Sequence, residues 1–182
     1  FKDIHTWLLS YGSWRSTFTG YDAEYKVKGT HPMGGALSLL WHAQAGPVFA
    51  ATMNQYKLIE APNMQSNTRK YLTGGTPRIE LIQNGVAYSN LDDLNTSITY
   101  HEREEACTFT VHTHLVDINQ QAPLQGEVAM TMNYTYSEQG VSIHLEHCNE
   151  PIRLMLPVIA SPEENIEFSS HEVYIRKNKG VV

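Results

Sequence analysis

The chain has 182 residues, 41% hydrophobic, 10% aromatic and 18% charged, and its 13 lysines and arginines against 19 acids give a formal net charge of −6. A chain of this length buries about 70% of its unfolded surface and folds as one ordinary domain, so a disulfide-stapled mini-protein is excluded. With no basic run to neutralise phosphates, and apolar stretches (36–41 and 47–53) far short of the roughly 20 residues of a spanning helix, neither nucleic acid nor membrane is expected as a partner.

The sequence opens at Phe1 with no basic or apolar leader and reads as an excised piece of something longer. A short amphipathic stretch at 3–9 predicts an N-terminal helix; from Trp14 onward the apolar period is two, the period of a strand with one buried face. Strands are predicted at 14–19, 21–27, 36–42 and 48–53. The segment 60–75 that follows is polar and turn-rich, too long for a simple hairpin connection. Asn84-Gly85, between predicted strands at 79–83 and 86–88, is a strong two-residue hairpin signal.

After a strand at 96–101 and the acidic turn Glu102-Arg103-Glu104-Glu105 comes the clearest alternation, at 107–117. There Cys107, Phe109, Val111 and Leu115 share one face, and Thr108, Thr110, His112 and His114 the other. Residues 127–137 repeat the pattern, and a turn at Glu138-Gln139-Gly140 leads into Val141, Ile143 and Leu145, so these three strands predict an antiparallel meander. Further strands are expected at 151–160 and 173–176. So many strands, punctuated by Gly, Pro and Asn, predict an all-β fold: an antiparallel two-layer β-sandwich of the supersandwich kind, forming a single domain over 1–182.

The first third carries an ordered set of residues: Arg15 in GSWRSTFTGYD, then His31 in GTHPMGG, then Leu37-Ser38-Leu39-Leu40, Gly46 and Tyr56. In order and spacing this resembles the start of the C-terminal β-sandwich domain of heparinase II/III-like polysaccharide lyases, over roughly the first 60 residues. The family pattern is an Arg-bearing strand, a His-x-His-x-Asp element, a Ser-Phe-x-Leu strand, a Gly turn and a strand ending near Asp-x-Gly-x-Tyr. Here the second His and the Asp fall on Met33-Gly34-Gly35, and the later Asp falls near Met53-Asn54. A structural zinc needs about three such ligands and only His31 is in register, so no metal and no cofactor is expected.

The resemblance implies a C-terminal portion of a larger secreted or periplasmic protein, packed on an upstream helical toroid domain and walling one side of a polysaccharide cleft. The polysaccharide would contain uronic acid. Removing the C5 proton of a uronate requires a base and a neutralised carboxylate. Family enzymes draw most of these groups from the toroid, so this piece would not be catalytic alone. His31 would be the supporting residue, with Arg15 and Tyr56 lining the same end.

Each candidate has an ordinary reading beside the functional one. His31, on a loop before Pro32, faces either a cleft or a backbone partner. Gly34-Gly35 permits close approach of a ligand or marks a bulge. Trp14, Trp41, Tyr21, Tyr25 and Tyr56 offer faces for sugar stacking or belong to the core. Arg15 and Arg69 suit bidentate grip on a carboxylate or sulfate, or pair with surface acids.

His112 and His114 are at metal-compatible spacing. His144 and Glu146, however, would lie across the middle strand, two strand spacings or about 9.6 Å away, and the middle strand would face the pair with Thr131 and Asn133. A solvated or inter-domain polar face is therefore expected. Cys107 and Cys148 could pair or stay free. Two alternatives stay open besides the lyase reading: a non-catalytic carbohydrate-binding module and a purely structural β-sandwich domain.

Overall fold

The structure is a computed structural model that describes residues 5–20, 33–51, 75–146, 149–169, 173–177 and 180–181. Two four-stranded antiparallel sheets form its body. The first is β1 (Thr6–Tyr11), β2 (Trp14–Thr19), β3 (Ala36–His42) and β4 (Gly46–Ala50), in sequential order. The second holds β7 (Ser97–Glu102), β8 (Cys107–His114), β9 (Ala129–Ser137) and β10 (Gly140–Leu145), again in sequential order.

Beside them lie two three-stranded sheets. One combines β5 (Arg78–Gln83) and β6 (Val86–Ser89) with β11 (Arg153–Met155) on the outer side of β5. The other is β12 (Asn165–Phe168), β13 (Val173–Lys177) and β14 (Gly180–Val181). Among the described residues the helical content is a 3-10 turn at Asn90–Asp92, and no helix is long and apolar enough to cross a membrane.

Local chemistry explains these elements. β5 and β6 are joined by Asn84-Gly85 with φ of 50° and 78°, the paired positive angles whose twist matches that of flanking strands. In the β7–β10 sheet Cys107, Phe109, Val111 and Thr113 alternate inward along β8, answered by Met130, Met132, Tyr134 and Tyr136 on β9. Its three ladders run without a shift of register. The β1–β4 sheet is less regular. Its register shifts between Thr17 and Phe18, leaving Ser38 as an extra residue on β3, and again between Leu40 and Trp41. Ser38 Oγ donates to the Thr17 carbonyl at 3.0 Å, so the bulge is held by its own side chain.

The two larger sheets pack face to face through aromatic rings. Phe18 of β2 lies 4.5 Å from Phe109 and 4.9 Å from Tyr134 between ring centroids, and Trp7 of β1 meets Phe109 edge-on at 5.7 Å. Tyr136 Oη donates to Ser16 Oγ at 2.7 Å across the layers, so a fully buried phenol and a buried hydroxyl satisfy each other. This is the all-β sandwich that the alternation predicted, with the two smaller sheets added to it.

Four details correct or extend the sequence reading. The helix expected at 3–9 is instead strand β1 from Thr6 onward, paired with β2 from Tyr11↔Trp14 to Thr6↔Thr19. Leu9 and Tyr11 pack on the core and Trp7 meets Phe109 edge-on, while Leu8 is 69% exposed, so tertiary pairing overrides the short helical pattern. Asn165–Phe168 and Gly180–Val181 form strands that were not anticipated, and the segment 151–160 contributes three strand residues, Arg153–Met155. The strand predicted at 21–27 lies outside the described residues, as does nearly all of the polar segment 60–75. Cys107 is a fully buried free thiol; Cys148 lies outside the described residues.

Candidate functional site

Of the residues singled out in the sequence, His31, Tyr25, Tyr56 and Arg69 lie outside the described residues, while Trp14 and Arg15 are placed. Arg15 is exposed on β2 opposite Trp41, and its Nη1 donates to the carbonyls of Gly12 at 2.8 Å and Trp14 at 2.7 Å. It thereby ties down the Gly12-Ser13 turn. Trp14 is half-buried, its ring 4.5 Å from that of His42, and it rests on the core. His42 Nδ1 in turn accepts from the backbone N–H of Gln44 and Ala45, fixing the imidazole that Trp14 covers. Met33, two residues beyond His31, sits at the other end of this sheet, where Gly34 N–H donates to the Gly20 carbonyl.

Gly34 and Gly35 permit a close approach, and what approaches is the protein itself. Their φ angles are 65° and 70°. A Cβ on Gly34 would stand 1.5 Å from the Asn90 carbonyl oxygen, and one on Gly35 would stand 2.0 Å from Val111 Cγ1. Neither position can carry a side chain in this fold, so no Asp can stand at Gly35; the second His would fall on Met33, which does carry a side chain. Among the described residues no three His, Cys, Asp or Glu side chains are grouped to hold a metal ion.

The outward face of the β7–β10 sheet is polar throughout its centre. Three hydrogen-bonded couples bridge β8 and β9: Thr108 with Thr135 at 3.0 Å, Thr110 with Asn133 at 2.7 Å, and His112 Nδ1 with Thr131 Oγ1 at 3.1 Å. On the flanking strands the same rows continue into exposed His101 and Thr99 of β7 and Ser142 and His144 of β10. The solvated polar face expected from the sequence is present, with one shift: His114 stands opposite Ala129, and Asn133 faces Thr110. A slip of two residues keeps every side chain on its face, so alternation alone could not fix that pairing.

His114 belongs to a cluster that the sequence reading missed. Asp93, 1% exposed, follows the 3-10 turn, and its Oδ2 accepts from Thr113 Oγ1 at 3.0 Å, His114 N–H at 2.7 Å and Thr96 Oγ1 at 3.1 Å, with His114 Nδ1 at 3.2 Å. Oδ1 accepts from Asn95 N–H at 2.8 Å. Nε2 of the same imidazole meets Glu127 Oε1 at 3.0 Å at the surface. The available signal was Asp93-x-Asn95-Thr96, whose Asp bonds the backbone two residues on in the manner of an Asx turn. The cluster holds the orientation of His114 and pins the turn to β8.

Proton abstraction needs a group that can accept a proton near neutral pH. Burial pushes up the phenols of Tyr134 and Tyr136, and burial together with Cys107 and Glu102 pushes Tyr100 up to about 12. These core tyrosines remain protonated and serve packing and hydrogen bonding.

Comparison with known proteins adds to this geometry. A profile of the family described as Ulvan lyase C-terminal domain matches residues 1–182. A broad-specificity ulvan lyase of Formosa agariphila is 33% identical over 190 residues, covering 100% of this chain and 29% of the relative. The chain therefore spans less than a third of the length of that curated relative. No solved structure matches it.

Proposed function

This chain belongs to the family of ulvan lyase C-terminal domains, and on that premise we propose that it is the non-catalytic β-sandwich portion of a polysaccharide lyase, presenting one wall of a glycan cleft. The observation that carries the proposal is a family match running the full length of the chain, joined to identity of 33% with a lyase more than three times as long. The geometry agrees in kind: the outward polar groups lie on an exposed sheet face.

In this reading an upstream domain, a helical toroid as in heparinase II/III-like enzymes, supplies the base that eliminates across a uronate. His31 supports that chemistry, and Arg15, Trp14, Tyr25, Tyr56 and Arg69 contact the glycan. In this reading the protein works outside the cytoplasm, secreted or periplasmic, where a polysaccharide too large to cross a membrane is met.

The test is absorbance at the unsaturated-uronate band during incubation with ulvan, for the 182-residue chain and for the longer lyase that contains it. A signal from the longer protein with none from the chain alone is expected. A signal from the chain alone would overturn the division of labour, and silence from both would overturn the lyase assignment.

A further inference from the structure

The outward face of β7–β10 has properties that its packing role does not demand. Apart from Glu146 at one edge, its three central rows are built from hydroxyls, one carboxamide and imidazoles, groups that each donate and accept hydrogen bonds. The β8–β9 couples Thr108–Thr135, Thr110–Asn133 and His112–Thr131 hold these groups in fixed positions before any ligand arrives, which reduces the entropy lost on binding. The ladders beneath are unbulged, so the side chains form a lattice with about 4.8 Å between strands and about 6.8 Å between rows along a strand. A regular lattice suits a repeating polymer. The β1–β4 sheet, shifted in register twice, offers none.

Charge and composition narrow the occupant. The chain carries 19 acidic residues against 13 basic ones, yet within these rows the one carboxylate is Glu146, where β10 ends beside Thr131. His101, His112 and His144 are spread across the rows and are exposed. Like-charge repulsion against an anionic chain is therefore low across these rows. A protein partner would call for an apolar centre with aromatic, Met or Arg anchors, and these rows contain none.

We propose that the outward face of β7–β10 is a binding surface for an acidic polysaccharide chain, its sugar hydroxyls seated on the Thr108–Thr135, Thr110–Asn133 and His112–Thr131 couples and its acidic groups beside His101 and His144. This rests on the polysaccharide-lyase reading above and adds a second glycan contact, on the opposite side of the sandwich core from the β1–β4 sheet that carries Trp14 and Arg15.

The experiment is titration calorimetry of the 182-residue chain with ulvan oligosaccharides and, as a neutral counterpart, dextran oligosaccharides. Measurable affinity for ulvan and none for dextran is expected, with the exposed double variant His112→Ala/His144→Ala binding about tenfold more weakly or worse. Unchanged affinity in that variant, equal binding of dextran, or no binding by the wild-type chain would overturn the proposal. So would loss of affinity confined to Trp14→Ala or Arg15→Ala, a result that leaves the lyase-domain reading standing. Amide shifts of the wild-type chain during the same titration give a readout independent of the variant's folding. Shifts along β8 and β9 support the face, and shifts restricted to β1–β4 contradict it. Failure of the lyase reading is seen separately, as silence of the longer enzyme in the absorbance assay.

Discussion

Asn90 Nδ2 donates to the carbonyl oxygen of Gly34 at 2.9 Å, while Oδ1 of the same side chain accepts the Ile79 backbone N–H at 2.8 Å. One buried carboxamide thus satisfies two backbone groups and links the turn before β3 to β5. Asn90→Ala leaves both partners buried without their bond and is expected to cost about 2–4 kcal/mol of stability. Asn90→Asp keeps the acceptor but sets a buried carboxylate oxygen against the Gly34 carbonyl, so it should cost at least as much as the alanine variant at neutral pH. Chemical denaturation of the two variants beside the wild type reads both values.

Gly34→Ala should prevent folding outright. The new methyl would meet the Asn90 backbone at 1.5 Å, and the residue sits at a φ of 65°, a region that side-chain-bearing residues seldom enter. Gly46→Ala is the matched control: it has a φ of 78° with nothing within 4 Å, and is expected to cost about 1 kcal/mol from backbone strain alone. Circular dichroism of the two purified variants separates them.

At the Asp93 cluster, removal of the buried end and of the exposed end should differ sharply. Asp93→Ala strips the shared acceptor from Thr113, Thr96 and His114 and is expected to cost about 2–4 kcal/mol, with Thr96 and Thr113, already 3.0 Å apart, recovering part of the loss through their mutual bond. Glu127→Ala, whose side chain is mostly in water, should shift stability by about 0.5 kcal/mol or less. Thermal melts of the two variants provide the comparison.

Asp92 provides a pH-dependent signal. Burial, and secondarily the Asp117 carboxylate, raise it from 3.8 to about 6. Between these values the folded protein holds this proton more tightly than the unfolded chain, so the group lowers stability as pH rises from about 4 to about 6. Its penalty is absent below that window and full above it. Asp92→Asn is therefore expected to gain about 1–3 kcal/mol at neutral pH and to gain nothing near pH 4. Urea midpoints measured across that range test both the sign and the window.

The sheets were legible where sequence and packing agree. Asn84-Gly85 has the positive φ angles its residues favour, and the alternation of Phe109, Val111, Met132 and Tyr134 marks the core face of β8 and β9 directly. β1 was obscured because Trp7-Leu8-Leu9 is an unbroken apolar run, and only pairing with β2 decides that Leu8 faces out. The pairing of His114 escaped because alternation is blind to a slip of two residues.

The site was less legible than the fold. The polar face around His112 follows from period two, but the approach of Asp93 to His114 is a tertiary event across 21 positions of sequence, set by the 3-10 turn. In the same way, the reason no side chain can stand at Gly34 or Gly35 emerges only when Asn90 and Val111 are seen against them.

The proposed cleft wall makes a direct claim about what the domain contributes to a longer lyase. Steady-state kinetics on ulvan should be compared for the longer lyase with and without residues 1–182, once the shortened enzyme is shown to be folded. A KM that rises steeply, or activity that disappears, is predicted for the shortened enzyme, because the proposed wall of the glycan cleft has gone. Unchanged kcat and KM would contradict it.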